Sequence, residues 1–278
     1  MPRLAIIIVT FNSAADVGAC LESIAGAASQ TSHEVTVVDN ASADGTAVLV
    51  RSRWPAVRVI DAGGNLGFAR ANNLGIRATE SELVLLLNPD TVPAAGSIDR
   101  LVAVLDSTPR VTVAGPRIVD AGGRAELSYG AMIGPLAELR QKLLTRGHEH
   151  QWPLVSAHVE RASRHASFPD WVSGACLLIR RAALERAGLL DERYFLYTED
   201  VDLCAAVRAQ GGVVRFSPEA EVVHERGASR ASAPAAAEQA YRRSQLTFYR
   251  KHHPSWAPLL AVYLKIRGRF PDISIQDR

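Results

Sequence analysis

The apolar run Leu83-Val84-Leu85-Leu86-Leu87 passes without a spacer into Asn88-Pro89-Asp90, and no other segment constrains the fold as strongly. An apolar run of that length, stopped by a proline turn, reads as a buried strand of a parallel sheet, with Asn88 and Asp90 at its C-terminal edge. That edge is where open α/β sheets bind ligands. Pro89 has no N–H for a sheet ladder and biases Asn88 toward an extended backbone, so the side chains of Asn88 and Asp90 are expected to face one site. Hard oxygen donors in that position suit Mg²⁺ or Mn²⁺ carrying a diphosphate, although an Asx/Pro turn closing a strand uses the same residues.

Other segments are expected to deliver polar groups to the same edge. Leu4–Val9 reads as a strand ending in Thr10-Phe11-Asn12, and Val35–Val38 as one ending in Asp39-Asn40-Ala41-Ser42. Helices are predicted near 14–27, near 43–54 and after Gly67, and a further strand at 57–60. This alternation signals a doubly wound, mostly parallel sheet. The stretch from Asn65 to Gly75, rich in Gly and Asn, opens the third helix, where free backbone N–H groups can meet phosphate or sugar oxygens. Ser42 and Asp44 fit an N-cap with an acidic first turn. Downstream, Thr198-Glu199-Asp200 opens a helix that Gly211-Gly212 stops, and His224 closes the later of two strands predicted at 213–216 and 221–223.

Taken together, Val9-Thr10-Phe11-Asn12, Val38-Asp39-Asn40-Ala41-Ser42, the Asn65–Gly75 segment, Asn88-Pro89-Asp90, Trp171-Val172-Ser173-Gly174-Ala175 and Glu199-Asp200 resemble the family 2 inverting glycosyltransferases of the GT-A fold. The order and spacing match over about residues 4 to 226, and six linked motifs are far more specific than one. The Asn-Pro-Asp form and the Gly67-Phe68-Ala69-Arg70-Ala71-Asn72-Asn73 run look most like the bacterial rhamnosyltransferases that build lipid-linked cell-envelope glycans.

The resemblance implies a role for each motif. Asp39 would hydrogen-bond the nucleobase, with Thr10, Phe11, Asn12, Asn40, Ser42, Asn65, Gly67, Phe68, Asn72 and Asn88 completing the nucleotide-sugar site. Asp90 and His224 would hold the metal. Asp200 would act as general base, with Glu199 orienting it or binding acceptor hydroxyls, while Trp171 and Gly174 would meet the acceptor. These roles suit the chemistry, because diphosphate charge grows on the leaving group while the acceptor hydroxyl loses a proton. A helix N-terminus lowers a carboxylate's pKa, so Asp200 is expected to be a weak base, tolerable if proton transfer comes late.

Composition narrows the partners. Thirty-one basic residues against 29 acidic leave a net charge of +2, which gives no bulk electrostatic case for nucleic acid. Cys20, Cys176 and Cys204 have no C-x-x-C spacing, which points to a reduced compartment. Met1-Pro2-Arg3 leads at once into the first strand and no run reaches the ~20 apolar residues a bilayer crossing needs. The expectation is therefore a cytoplasmic protein, peripheral on the cytoplasmic face of the inner membrane.

After a strand at Val111–Val119 the patterning weakens. Residues 121–170 show only an amphipathic helix near 136–144 and form the acceptor-side region by resemblance; His148 and His150 within it are assigned no role. The expected division is residues 1–228 as the glycosyltransferase domain, with halves at 1–120 and 121–228. Residues 229–278 follow as a mobile loop and a helical tail. Arg226 or Arg230 would touch diphosphate, and the Trp256–Arg267 stretch could lie in a membrane interface. His252 and His253 read as helix-end cations.

The reading is a metal-dependent inverting transferase using a nucleotide-diphosphate sugar, dTDP-rhamnose, on a polyprenyl-diphosphate-linked glycan. UDP-galactofuranose or UDP-N-acetylglucosamine as donor, or a non-catalytic nucleotide-sugar-binding scaffold, are the alternatives. A nucleotidyltransferase would carry a Gly-rich, Lys/Arg-bearing loop after the first strand, which Thr10-Phe11-Asn12-Ser13 lacks.

Overall fold

Strands with two apolar faces need helices on both sides, and the computed structural model, which describes residues 1–225 and 234–271, has them. The first half runs β1 (Leu4–Thr10), α1 (Val17–Ala27), β2 (His33–Asp39), α2 (Thr46–Arg53), β3 (Arg58–Asp61), α3 (Phe68–Arg77) and β4 (Leu83–Leu87). It continues with β5 (Thr91–Pro93), α4 (Ser97–Ser107), β6 (Val111–Val119), β7 (Tyr129–Gly130), α5 (Pro135–Glu149), α6 (Pro153–Ala162) and β8 (Trp171–Val172). The rest is β9 (Cys176–Arg180), α7 (Arg181–Arg186), α8 (Glu199–Ala209), β10 (Val213–His224), α9 (Pro234–His252) and α10 (Ala257–Ile266).

Alternation along the strands sets the layers. Leu4, Ile6 and Ile8 of β1 and Leu83, Leu85 and Leu87 of β4 enter one core, with Ile24 of α1 and Ile98, Leu101 and Leu105 of α4. Ala5, Ile7, Val84 and Leu86 face the other, with Ile76 of α3, Leu184 of α7 and Leu203 and Val207 of α8. Gly75 lets α3 lie close, since a Cβ there would meet Ile7 Cγ2 at 2.6 Å.

The main sheet has the order β3-β2-β1-β4-β9-β6-β10-β5, with β7 and β8 paired separately. β4 pairs parallel with β1, as its sequence predicts, but antiparallel with β9. The reversal follows from the chain path: β9 returns from the excursion that holds α5 and α6 and enters the sheet from the opposite end. The two strands predicted at 213–216 and 221–223 are one strand, β10, with an irregularity between Ser217 and Glu221.

The helix expected near 136–144 is α5, and the region holds a second, α6; each opens on a proline at its first position, where the missing N–H costs nothing. Residues 226–233, with Arg226 and Arg230 and most of the predicted loop, lie outside the described residues. From Pro234 the chain packs on the body, where Phe248, Tyr249 and Ala257 share a core with Tyr194 and Val201. Glu138 of α5 anchors α9, accepting hydrogen bonds from the hydroxyls of Tyr249 (2.8 Å) and Tyr241 (3.3 Å) and from the Gln245 amide. Among the described residues no helix is long and apolar enough to cross a membrane.

Candidate active site

Strand register builds the first corner. His224, the last residue of β10, pairs with Thr91 of β5, and the Glu225 N–H donates to the Asp90 carbonyl at 2.9 Å. His224 Nε2 therefore stands 3.4 Å from Asp90 Oδ1, while its Nδ1 lies 3.2 Å from Glu126 Oε2. Burial pushes the imidazolium pKa down, but the two carboxylates outweigh it and hold it up at about 9. Acidic groups crowd this corner: burial and the charges of Asp90, Glu225 and Asp44 raise the Asp16 carboxyl above its ordinary value.

Such crowding fits a divalent cation, and carboxylate plus imidazole is a donor set for Mn²⁺ or Mg²⁺. A carboxylate on the second ring nitrogen, here Glu126, is how a metal-binding histidine is commonly oriented. No motif pointed to Glu126, because only the fold brings the loop after β6 to the end of β10. Among the described residues no three His, Cys, Asp or Glu side chains form a complete metal cage. Asn88 Oδ1 is buried without a hydrogen-bond partner among the described residues, and the Asn88 N–H donates to the Ala175 carbonyl at 2.9 Å.

The neighbouring strand tips form the second corner. Thr10 and Asp39 are register partners; the Thr10 hydroxyl donates to Asp39 Oδ1 and the Ser42 N–H to Oδ2, both at 3.1 Å. Asp39 is only 5% exposed, whereas the Phe11 ring beside it is open to solvent. The predicted Ser42 cap is not formed, because α2 begins at Thr46, after Gly45 in the left-handed region (φ 86°). Asp44 takes that part, accepting the Thr46 N–H at 3.0 Å. Ser42 Oγ instead accepts the Asn12 N–H at 2.9 Å, and Asn12 Oδ1 accepts the Ala43 N–H at 2.8 Å, so the two loops brace each other.

The entry to α3 is partly engaged within the protein: Leu66 N–H donates to Asn40 Oδ1 (2.8 Å), Gly67 N–H to Asn65 Oδ1 (3.2 Å) and Phe68 N–H to the Phe195 carbonyl (2.6 Å). Asn40 Nδ2 in turn donates to Asn65 Oδ1 at 2.9 Å, and the buried Asn72 donates to the Phe68 carbonyl at 2.9 Å. Gly67 has φ 81°, and a Cβ there would lie 2.5 Å from the Phe195 carbonyl oxygen, so only glycine admits this contact.

The third corner is the start of α8. Tyr197 and Thr198 both occupy the left-handed region, at φ 70° and 65°, a strained pair that turns the chain into the helix. Asp200 Oδ2 accepts the Gly174 N–H at 2.7 Å and Oδ1 the Val201 N–H at 2.8 Å. A Cβ on Gly174 would lie 3.2 Å from Asp200 Cβ. Gly174 precedes Ala175, whose carbonyl holds Asn88, so a short path joins Asp200 to the Asn88-Pro89-Asp90 turn.

Burial raises the Asp200 pKa, and the N–H groups of Gly174 and Val201 offset it only in part. The expected depression by the helix terminus is thus reversed, which makes Asp200 a stronger base. Glu199 is 5% exposed and its Oε2 lacks a partner among the described residues; burial and then the Asp200 charge hold its carboxyl well above the ordinary range. Trp171 is half-buried, its Nε1 donating to the Ala131 carbonyl at 2.9 Å.

Two predicted bystanders prove structural. His148 is buried on the Ala125 carbonyl (2.8 Å), and His252 Nε2 lies 2.7 Å from Asp202 Oδ1. Asp202, which no motif singled out, also binds Lys251 at 2.7 Å and so ties α9 to α8.

Comparison with known proteins agrees with this geometry. The sequence model described as glycosyltransferase like family 2 matches residues 2–253. The N-acetylglucosaminyl-diphospho-decaprenol L-rhamnosyltransferase of Mycobacterium tuberculosis is 34% identical over 247 residues, covering 81% of this chain and 78% of that protein. Among solved structures, a mannosyltransferase from Pyrobaculum calidifontis in complex with GDP-mannose and Mn²⁺ superposes with TM-score 0.63 at 20% identity, over 93% of this chain and 68% of that one. GalNAc-T7 with UDP, GalNAc and Mn²⁺ gives TM-score 0.59 at 14% identity, over 98% and 58%. These structural likenesses establish the GT-A fold. With the family match spanning all three corners of the site, the chain belongs to glycosyltransferase family 2 and is a glycosyltransferase.

Proposed function

We propose that this enzyme transfers L-rhamnose, with inversion, from dTDP-rhamnose to a polyprenyl-diphosphate-linked glycan of the cell envelope. The observation that carries the reading is the meeting of the Asp90–His224 pair and the Asp200 base at one sheet edge, in a chain 34% identical to a decaprenol-linked rhamnosyltransferase. Asp39, Asn40 and the exposed Phe11 ring form the nucleobase side, with Thr10, Asn12, Ser42, Asn65, Gly67, Phe68, Asn72 and Asn88 shaping the donor pocket. Trp171 and Gly174 border the acceptor. The polyprenyl tail of that acceptor sets the reaction at the cytoplasmic face of a membrane, which the enzyme meets as a peripheral protein.

Asp200 takes the proton from the acceptor hydroxyl while the acceptor oxygen bonds to the anomeric carbon and the bond to the diphosphate breaks on the opposite face. Its raised pKa serves this step, and the N–H groups of Gly174 and Val201, one on each carboxylate oxygen, hold the carboxylate in place. Asp90 and His224 would hold Mg²⁺ or Mn²⁺, which balances the charge of the leaving diphosphate. With two protein ligands only, the diphosphate itself would complete the site.

Thermal-shift titration tests the reading, using dTDP-rhamnose, UDP-galactofuranose and UDP-N-acetylglucosamine with Mn²⁺, Mg²⁺ or EDTA. A donor at 100 times its Kd stabilises the fold by about 2.7 kcal/mol. Metal-dependent stabilisation by dTDP-rhamnose, lost in Asp90→Ala, is the expected result. Stabilisation by a UDP-sugar instead would replace the donor, and a metal-independent shift in both proteins would remove the metal from the site.

A further inference from the structure

The acceptor-side wall continues into a surface that the chemistry above does not use. Trp171 packs in one cluster with Met132, Ile133 and Leu260. Ile133 leads into α5 and Leu260 lies in α10, and the two helices start from one junction, where the His253 ring meets the Ile133 carbonyl at 2.7 Å. Each helix turns one face inward: Glu138 of α5 binds α9, and Ala257 and Leu264 of α10 are buried.

Their outer faces are apolar at helical spacing. On α5, Leu136, Leu139 and Leu143 are exposed, Leu136 by 83%; on α10, Leu259, Val262 and Ile266 are exposed, Ile266 by 79%. Trp256 and Tyr263, also exposed, flank the α10 stripe. An isolated exposed leucine is ordinary, but two stripes diverging from one junction are not.

The charge around these stripes is mainly basic. From Gln239 to Pro271 the sequence contains no Asp or Glu, although the whole chain is nearly balanced at +2. Arg250, Lys265, Arg267 and Arg269 are exposed there, and Arg140 and Arg146 are exposed on α5. Of the two acids of α5, Glu138 is turned inward onto Tyr249 and Tyr241, and Glu149 is exposed at the C-terminal end of the helix. Apolar faces edged by Arg and Lys, with an indole and a phenol at the margin, match the layered chemistry of an anionic bilayer, where acyl chains lie beneath a negative headgroup plane.

We propose that α5 and α10 together form a membrane-docking surface for anionic lipid, with the leucine stripes entering the acyl boundary and the arginines and lysines meeting headgroup phosphates. The proposal rests on a lipid-linked acceptor and gives that acceptor its approach: Trp171 joins the docking surface to the Asp200 corner, so a docked enzyme receives a sugar carried just above the headgroups. The surface belongs to two segments more than a hundred residues apart, and the tail alone is half of it.

Flotation of the full-length protein on phosphatidylcholine vesicles, and on vesicles of phosphatidylcholine and phosphatidylglycerol in equal parts, tests this. Three proteins are compared: wild type, Leu139→Glu/Leu143→Glu on α5, and Leu259→Glu/Ile266→Glu on α10. All six of the proteins' vesicle mixtures are read at low and high salt, with thermal melting confirming folding. Wild type should float with the anionic vesicles and be released by salt, and each double variant should partition about ten-fold less. Sugar transfer to a short water-soluble acceptor analogue should stay unchanged in both variants, which separates docking from catalysis. Absence of wild-type flotation, or an α5 variant that floats like wild type, would overturn the two-helix surface. So would a concentration-dependent dimer in sedimentation that both variants abolish without any vesicle binding, because a second copy would then cover the face. If flotation behaves as expected but no rhamnosyl donor is used, the docking surface stands and the donor assignment fails.

Discussion

Two opposing forces act on the Asp200 carboxylate. The helix start and two N–H donors favour the charged form, while burial disfavours it, and burial wins. The acid limb of the pH–rate profile should therefore lie above the ordinary aspartate range, since the base works only once ionised. Asp200→Asn should lower transfer by about a hundred- to ten-thousand-fold with donor affinity retained, because the amide oxygen can still accept the Gly174 N–H. Normal turnover in that variant would move the base elsewhere. Gly67 is decided by space rather than charge. Gly67→Ala places a Cβ against the Phe195 carbonyl at positive φ and should cost about 1–3 kcal/mol in urea denaturation. An unchanged midpoint would mean that the Phe195 segment gives way. Neither effect is legible in the motif: Gly67 looks like a phosphate-loop glycine, yet its neighbours' N–H groups are spent within the protein.

Among the elements, the strands were the most legible. Leu83–Leu87 and Val111–Val119 have the bounds their sequences predict, the first because a short unbroken apolar run stopped by a proline turn suits a strand buried on both faces. Leu85 is fully buried between two layers, so Leu85→Ala should cost about 2–5 kcal/mol, measured by chemical denaturation. A loss below 1 kcal/mol would mean that the core collapses around the gap. Helices α4 and α6 were not foreseen. The outward residues of α6 include Leu154, and its burial is slight, so its sequence lacks the clean two-faced pattern that marks a helix. The α8 start was legible as a helix boundary, but the left-handed Tyr197 and Thr198 that aim it were not, since neither is a residue type that favours that region.

At the scale of the whole molecule, the C-terminal helices are held by charges from distant segments. Lys251 binds Asp191 at 2.8 Å and Asp202 at 2.7 Å, and Arg193 and Lys251 hold the Asp191 carboxyl well below its ordinary value. A carboxyl depressed on folding stabilises above its unfolded pKa and loses that contribution as pH falls through the folded value. Asp191→Asn should therefore melt lower than wild type near neutrality, and the gap should close as pH falls below the ordinary aspartate range. A gap that persists in acid would assign the effect to packing. The sequence alone determined the sheet-forming strands, the motif positions and the family resemblance, because these depend on local periodicity and short spacing. Only the tertiary structure decided that Glu126 lies against His224, that β9 enters antiparallel, that Asp202 and Glu138 anchor α9, and that α5 and α10 start from one junction. Each of these joins residues far apart in the chain, and no local pattern of side chains encodes which distant partner a buried charge will meet.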